Sequence, residues 1–491
     1  NYTFKLTFEQ YSVILVCMAF FFTFLRLHEV KVTEKRVFHI AGFIVVALGC
    51  GLFTNQIILS DFMEEHQINI RMFRPMESYQ KYGGVLTFAR SVGYAVVKKP
   101  EGYTTAKVDQ IIQEYEKKSA NEQQSTAKQY PNIITVVNET FADIKVLGDF
   151  KTNEDYMPYF HSLKKNCVTG YTYASIVGGQ TANTEFELLT GNTLGFLSAG
   201  TTAFQLYIHG QMPSLVSNLK AEGYSGNKAM HPFNPYNYNR PAVYKDFGFT
   251  DFIDKFDFPK NVKRVREYIS DEANVDRIIS EYEKNRKKTD QPFYMYNMTI
   301  QNHSPYDKDA ANFKQPIKIE SSKYDAEANR YLNLIKYSDD SLKQLTGYFE
   351  KCKEPTIILF LGDHQPRLTD EFMNKITNGQ YQTWSSEQMM KRYQVPFVIW
   401  ANYAIKEQHI EKTSMNYIQS ILTKTAGVKM TGYQRFLNEV RKEVPTITSQ
   451  GYWGKNGKFY QINDKGSPYY GIIQKYRMIQ YNMMFDKKNR R

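Results

Sequence analysis

The chain opens on two apolar runs, Tyr11–Leu25 (YSVILVCMAFFFTFL) and Val37–Phe53 (VFHIAGFIVVALGCGLF), the second extendable through NQIIL to Leu59. Both are apolar on all faces, which predicts membrane-crossing helices rather than an amphipathic hairpin on a soluble core. The loop between them carries Arg26, Lys31, Lys35 and Arg36. The excess of cations places it in the cytoplasm and everything after about residue 60 outside. No small-residue cleavage pattern follows the first run, so a signal peptide is a poor account of it. With an apolar run starting almost at Asn1, residues 1–60 read as the C-terminal end of a longer membrane domain.

The pattern then changes twice. Residues 61–129 read as an amphipathic juxtamembrane connector: SYQKYGGVLTFARSVGYAVVKK has one apolar face suited equally to a membrane surface or to packing against the domain that follows, and VDQIIQEYEKK is a short charged helix. From Pro131 short apolar runs alternate with long polar helical stretches, the pattern of an α/β sheet covered on both faces. The clearest strands are 132–139, 292–300, 355–364 and 395–402, with helices expected over 263–287 and 325–351. Residues 130–445 therefore form the main domain. The last stretch, 446–491, is rich in Tyr, Gly and Lys and reads as a tail packing on or beside it. The absence of any 20–50-residue repeat excludes a solenoid or propeller.

Composition adds little beyond this division. The chain of 491 residues is 42% hydrophobic and 15% aromatic, with 37 Tyr and 33 Phe, which excludes disorder over most of its length. A net charge of +12 favours an anionic partner such as a membrane surface or a charged glycopolymer. The external location disfavours nucleic acid. The four cysteines form no metal-binding spacing, and Cys167 and Cys352 are expected to be unpaired thiols rather than a bridge.

Candidate chemistry sits where an α/β sheet collects ligands, at the carboxyl ends of strands. The first strand ends Asn138-Glu139-Thr140, the second runs into Gln301-Asn302-His303, and the third ends Gly362-Asp363-His364-Gln365. Singly, these read as a strand end, a satisfied polar residue and a helix cap. Together, two carboxylates and an imidazole make an oxygen/nitrogen site suited to Mn2+, Zn2+ or Mg2+. A nucleophile candidate lies in SIVGGQTANTEFELLTGN (175–192): Gly178 and Gly179 permit a tight approach, and Thr181 is expected as N-cap of a helix that Gly191 ends. A hydroxyl there faces backbone N–H groups and the positive dipole end, which suits a phosphate oxyanion.

As a set, the Glu-ended strand, GGQTANTEFELLTG, HPFNPYNYNR, NHSPY and LGDH resemble the lipoteichoic acid synthase family of the alkaline-phosphatase/sulfatase superfamily, nearest its wall-polysaccharide glycerol phosphate transferases. The resemblance implies a central mixed sheet flanked by helices, behind two transmembrane helices and the connector. It implies that Glu139, Thr181, Asp363 and His364 hold one metal, usually Mn2+ with Mg2+ or Zn2+ as alternatives, and that Thr181 is the residue glycerophosphorylated. It assigns His231 and Arg240 to the substrate phosphate, and His303 to the leaving or attacking oxygen. It further implies a multi-pass membrane enzyme with an extracellular catalytic domain. Its donor would be phosphatidylglycerol and its acceptor a surface glycopolymer, wall polysaccharide or lipoteichoic acid. The family's polymerising members commonly carry Glu-Ser-Phe where this chain has Glu139-Thr140-Phe141, and several spans where this chain has two, which leaves the acceptor open.

Two other readings remain at this point. Phosphoethanolamine transferases and other phosphoesterases or sulfatases share the fold, although a sulfatase needs a Cys or Ser that Thr181 does not supply. A non-catalytic surface binding protein would have no need of Glu139, Thr181, Asp363 and His364 together.

Overall fold

The computed structural model describes residues 75–94, 97–117, 130–320 and 325–490, with a few isolated positions between 44 and 55. The two expected spans and their basic loop lie outside these residues. Among the described residues no helix is long and apolar enough to cross a membrane. The chain divides into two units, Asn1–Val96 and Val97–Arg491, so the boundary falls inside the expected connector.

The first unit shows two helices, Pro75–Tyr82 and Gly84–Gly93. They part at Gly83, whose φ of 79° suits only glycine. Ser78 and Thr87 are buried between them, and the Thr87 hydroxyl donates to the Ser78 carbonyl (3.2 Å). Met76, Val85 and Phe88 are exposed.

In the second unit eight strands form one mixed sheet: β1 (Asn132–Asn138), β2 (Cys167–Tyr173), β3 (Ser225–Met230), β4 (Asp251–Ile253), β5 (Phe293–Met298), β6 (Thr356–Gly362), β7 (Gln394–Ala401) and β8 (Gln408–Ser414). Their order is β8-β2-β7-β6-β1-β5-β3-β4. Only β7 runs against the rest, antiparallel to both β6 and β2. The carboxyl ends of β1, β2, β5 and β6 therefore share one edge of the sheet. β1 sits at its centre, parallel to β6 and β5, with all seven residues buried. A continuous β-branched run such as NIITVVN is what burial on both faces selects.

Helices α1 (Thr105–Lys117), α2 (Thr181–Thr190), α5 (Met415–Thr425), α6 (Gly432–Glu443) and α7 (Tyr470–Phe485) cover one face, and α3 (Asp271–Arg286) and α4 (Ala326–Phe349) the other. Phe186, Ile418, Phe436 and Ile473 belong to the first core, and Ile278 and Leu342 to the second.

One expectation changes, and two features went beyond the sequence reading. The helix expected over 263–287 begins only at Asp271, because Ser270 caps it by accepting from the Ala273 N–H (3.1 Å), and the residues before it pair as a hairpin of Arg264–Val265 with Tyr268–Ile269. Strands β2, β3, β4 and β8 were not legible, since segments such as SGNKAM on the flanks of the sheet carry too few apolar residues. The segment 446–491 buries Ile447, Tyr452, Ile473, Tyr476 and Ile479 in the same core as α2. Folding satisfies the Tyr476 hydroxyl, which donates to the Gly191 carbonyl (2.5 Å) and accepts from Asn416 Nδ2 (2.9 Å). Cys167 and Cys352 are free thiols.

The tightest contact near the carboxyl edge is at Gly362, where a Cβ would stand 1.8 Å from the Phe141 carbonyl oxygen. Backbone cannot yield there as a side chain would. Gly362→Ala is therefore expected to destabilise the protein by on the order of 3 kcal/mol, read as a lowered thermal midpoint. An unchanged midpoint would show that the loop after β1 is free to move.

Candidate active site

The loop after β1 and the loop after β6 meet at that contact. Thr140, in the left-handed region at φ 55°, donates its N–H to Asp363 Oδ1 (2.7 Å), which also accepts the His364 N–H (2.8 Å). The Glu139 N–H donates to the Thr299 hydroxyl just beyond β5 (3.0 Å). These anchors bring Glu139, Asp363 and His364 together, all buried, with one donor atom of each within 4.8 Å of the others.

The imidazole settles what this cluster needs. His364 Nδ1 lies 3.0 Å from the Gln365 carbonyl, an acceptor, so Nδ1 carries a proton and Nε2 is the nitrogen turned toward the carboxylates. Nε2 is 3.2 Å from Asp363 Oδ2 and 3.9 Å from Glu139 Oε1. Neither Nε2 nor Asp363 Oδ2 has a hydrogen-bond donor, and both are buried. Acceptors facing one another out of water repel unless a cation or a proton lies between them. Burial first, and then the Asp363 charge, raise the Glu139 carboxyl to about 8. Two oxygens and a nitrogen suit a divalent cation, and these residues fit one.

Thr181 is buried at the start of α2, but not as its cap. Gln180 takes that place in left-handed geometry, φ 68°, with no side-chain cap bond. The reason lies in Gly178 and Gly179, both at positive φ, which with Gln180 turn the chain so sharply that Thr181 enters as the first helical residue. Its hydroxyl is thereby not spent on capping. Gly191 ends the helix at φ 71° as expected. Two bonds tie this segment to the cluster: the Thr184 hydroxyl donates to the Asp363 carbonyl (2.8 Å), and the Gly178 N–H to the Gln365 carbonyl (3.0 Å).

Arg240 is buried after Tyr238 and Asn239, two consecutive left-handed residues. Its Nε and Nη2 both donate to Glu185 Oε1 (3.1 and 2.7 Å), and it lies 5.1 Å from the Tyr238 ring. Its charge helps lower the Glu139 carboxyl, so the two lie within electrostatic reach. His231 is buried with Nδ1 on the Met298 carbonyl (3.0 Å). Burial and then the Arg240 charge hold its pKa well below normal, so the ring is neutral and Nε2 is an acceptor. His303 is half-buried, Nδ1 on the Ser304 carbonyl (2.7 Å), its ring stacked against Phe233. Since His231 hangs on Met298 and Glu139 on Thr299, the expected residues converge on one region of the carboxyl edge.

Two groups escaped sequence reasoning. Glu185, one turn after Thr181, also accepts from Tyr244 (2.5 Å) and Tyr296 (3.1 Å) through Oε2, and so links the α2 helix to Arg240. An acidic residue on an otherwise fully buried helix was the available signal, but its arginine lies 55 residues away. Asp271 accepts from Asn138 Nδ2 (2.7 Å) and Ser338 (2.6 Å), while Asn302 Nδ2 donates to Asn138 Oδ1 (3.1 Å), so one buried network supports the residues beside Glu139 and His303. Among the described residues, five of the eight non-glycine residues at positive φ, Thr140, Gln180, Tyr238, Asn239 and Arg266, flank this region, which concentrates backbone strain at the candidate site.

A mixed sheet with such a cluster at its carboxyl edge is an α/β domain of the sulfatase/alkaline-phosphatase type. The profile of the Sulfatase family matches residues 131–428, and the chain belongs to that family. A putative cyclic beta-1,2-glucan modification protein of Rhizobium meliloti (strain 1021) is 31% identical over 425 residues, 85% of this chain and 64% of that protein. The lipoteichoic acid synthase of Staphylococcus saprophyticus is 23% identical over 374 residues, 73% of this chain and 55% of that protein. The chain thus spans less than two thirds of the length of these curated relatives. Among solved structures, Streptococcus pyogenes phosphoglycerol transferase GacH in complex with sn-glycerol-1-phosphate shares the fold, with a TM-score of 0.65 at 20% identity over 80% of this chain and 97% of that one. The resemblance read from the motifs is borne out.

A metal must displace the Glu139 proton, so calorimetric titration with Mn2+ should show affinity rising with pH up to about 8 and levelling above it. A pH-independent affinity would remove Glu139 from the ligand set. Glu185→Gln leaves the buried Arg240 charge uncompensated and is expected to cost about 3–5 kcal/mol of stability by denaturant unfolding. A cost below about 1 kcal/mol would mean that Arg240 finds another partner.

Proposed function

We propose that the protein is a membrane-anchored, metal-dependent phosphoglycerol transferase. In this reading it moves glycerol phosphate from phosphatidylglycerol to a surface glycopolymer through a glycerophospho-threonine on Thr181. The observation that carries this is the pair of unpartnered acceptors, Asp363 Oδ2 and His364 Nε2, buried beside Glu139 and tied to the helix of an uncapped threonine. A divalent ion held by Glu139, Asp363 and His364, with Thr181 as a further ligand, supplies the charge that lowers the Thr181 hydroxyl pKa.

Thr181 Oγ attacks phosphorus in line and loses its proton to solvent. The bond from phosphorus to the diacylglycerol oxygen breaks, and His303 supplies the proton that oxygen needs. An acceptor hydroxyl then attacks the glycerophospho-threonine, passing its proton to His303, while the bond from phosphorus to Thr181 Oγ breaks and that oxygen takes a proton back from solvent. Arg240 neutralises the non-bridging oxygens with the Nη1 side that Glu185 leaves open. Neutral His231, with its Nε2 lone pair, accepts from a glycerol hydroxyl.

The full chain in detergent is expected to release diacylglycerol from fluorescent phosphatidylglycerol when Mn2+ is present. Release should fall at least ~1,000-fold with Thr181→Ala or after chelation. Release from phosphatidylethanolamine instead would assign a phosphoethanolamine transferase, and release from neither lipid by folded, metal-loaded protein would end the catalytic reading.

A further inference from the structure

In the 97–491 unit, the large hydrophobic side chains left exposed among the described residues are two, Tyr236 at 58% and Phe256 at 73%. Chance would scatter them over the surface. Instead both stand on the loops that follow β3 and β4, at the carboxyl edge where the candidate site lies. The two loops are bonded to one another: the His231 N–H donates to the Ile253 carbonyl (2.9 Å) and the Lys255 N–H to the Phe233 carbonyl (3.4 Å). Phe233 in turn stacks on His303, ring centres 6.3 Å apart, and meets His231 edge-on at 6.1 Å. The exposed rings and the site histidines thus share one piece of structure.

Phe256 is held outward rather than left loose. It lies in a single 3-10 turn, Lys255–Asp257, closed by reciprocal caps: Asp254 Oδ1 accepts the Phe256 N–H (2.7 Å) and Asp257 Oδ2 accepts the Asp254 N–H (2.9 Å). Those bonds also occupy the carboxylates nearest the ring. Lys255 Nζ lies 4.9 Å from the Phe256 ring and 6.0 Å from that of Phe233. Beyond Lys255 the chain carries Lys260, Lys263 and Arg264, of which Lys263 pairs with Glu272, and the carboxylates Asp251, Asp254 and Asp257 lie along the same segment.

We infer that this rim, Tyr236, Lys255 and Phe256 with the basic stretch behind them, docks the mouth of the site onto an anionic lipid bilayer. The inference rests on the proposed lipid donor. Aromatic rings with lysine at their side are the composition that settles at headgroup depth, the rings among the upper acyl chains and the cations at the phosphates. The lysines beside the rings match the phosphates of an anionic headgroup layer, which is why the bilayer is favoured over an uncharged saccharide acceptor. The consequence is that a donor lipid reaches Arg240 and Thr181 without leaving the membrane.

The test uses the full chain reconstituted in vesicles of phosphatidylglycerol and phosphatidylcholine. Phe256→Ser is expected to lower turnover of the long-chain bilayer donor about tenfold and to leave turnover of monomeric short-chain phosphatidylglycerol within about twofold. Equal loss on both donors, or none on the bilayer donor, would overturn the inference. A reporter independent of catalysis separates this from failure of the donor assignment: Phe256→Trp should emit light that bromine-labelled acyl chains quench. An unquenched residue 256, or one whose emission responds to a soluble oligosaccharide and not to brominated lipid, refutes docking whatever the activity.

Discussion

Asp363 Oδ2 and His364 Nε2 lie buried 3.2 Å apart, neither with a hydrogen-bond partner, and much of the surrounding architecture serves to hold that pair in place. An isolated contact of this kind would relax by rotating a side chain. Here it cannot, because Asp363 Oδ1 accepts from two backbone N–H groups and His364 Nδ1 is committed to the Gln365 carbonyl. The loop after β1 is pressed against Gly362 so closely that no side chain fits at that position. Local strain and an unpartnered buried polar pair persist only where the rest of the fold over-determines them.

A second constraint runs through α2. The helix is buried along its whole length and carries a hydroxyl at its first residue and a carboxylate one turn later. Glu185 has four hydrogen bonds, to Arg240 twice and to Tyr244 and Tyr296, so its charge is compensated without water. The same helix is fixed to the loop after β6 through Thr184, whose hydroxyl donates to the Asp363 carbonyl. Nucleophile candidate, cation cluster and arginine are therefore held relative to one another by a single rigid element, which is what in-line transfer to a charged phosphorus requires. The neutrality of His231 follows from this arrangement, since the Arg240 charge stands beside a ring already deprived of water.

Much of the site was legible because its residues sit at the ends of strands that announce themselves. β1, β5, β6 and β7 are apolar runs; Glu139 and Asp363-His364 follow β1 and β6 directly, and His303 lies a short way beyond β5. Glycines 178 and 179 marked the turn before α2, although the structure places Gln180 rather than Thr181 at the cap. His231 and Arg240 came only from family resemblance, as loops after a strand like SGNKAM carry no periodic signal of their own.

By itself, then, the chain determined the strand-end chemistry and the alternation of apolar and polar segments, because both are local and set by the period of burial. Only the tertiary structure decided which residues are partners. Glu185 with Arg240, Asp271 with Asn138, and Tyr476 with Gly191 are separated by 55, 133 and 285 residues. The tautomers of His231, His303 and His364 likewise depend on carbonyls that reach them only after folding. A hydrogen bond needs its donor and acceptor within about 3 Å, and at such separations along the chain that distance is fixed by how the sheet and its helices pack, not by the order of the residues.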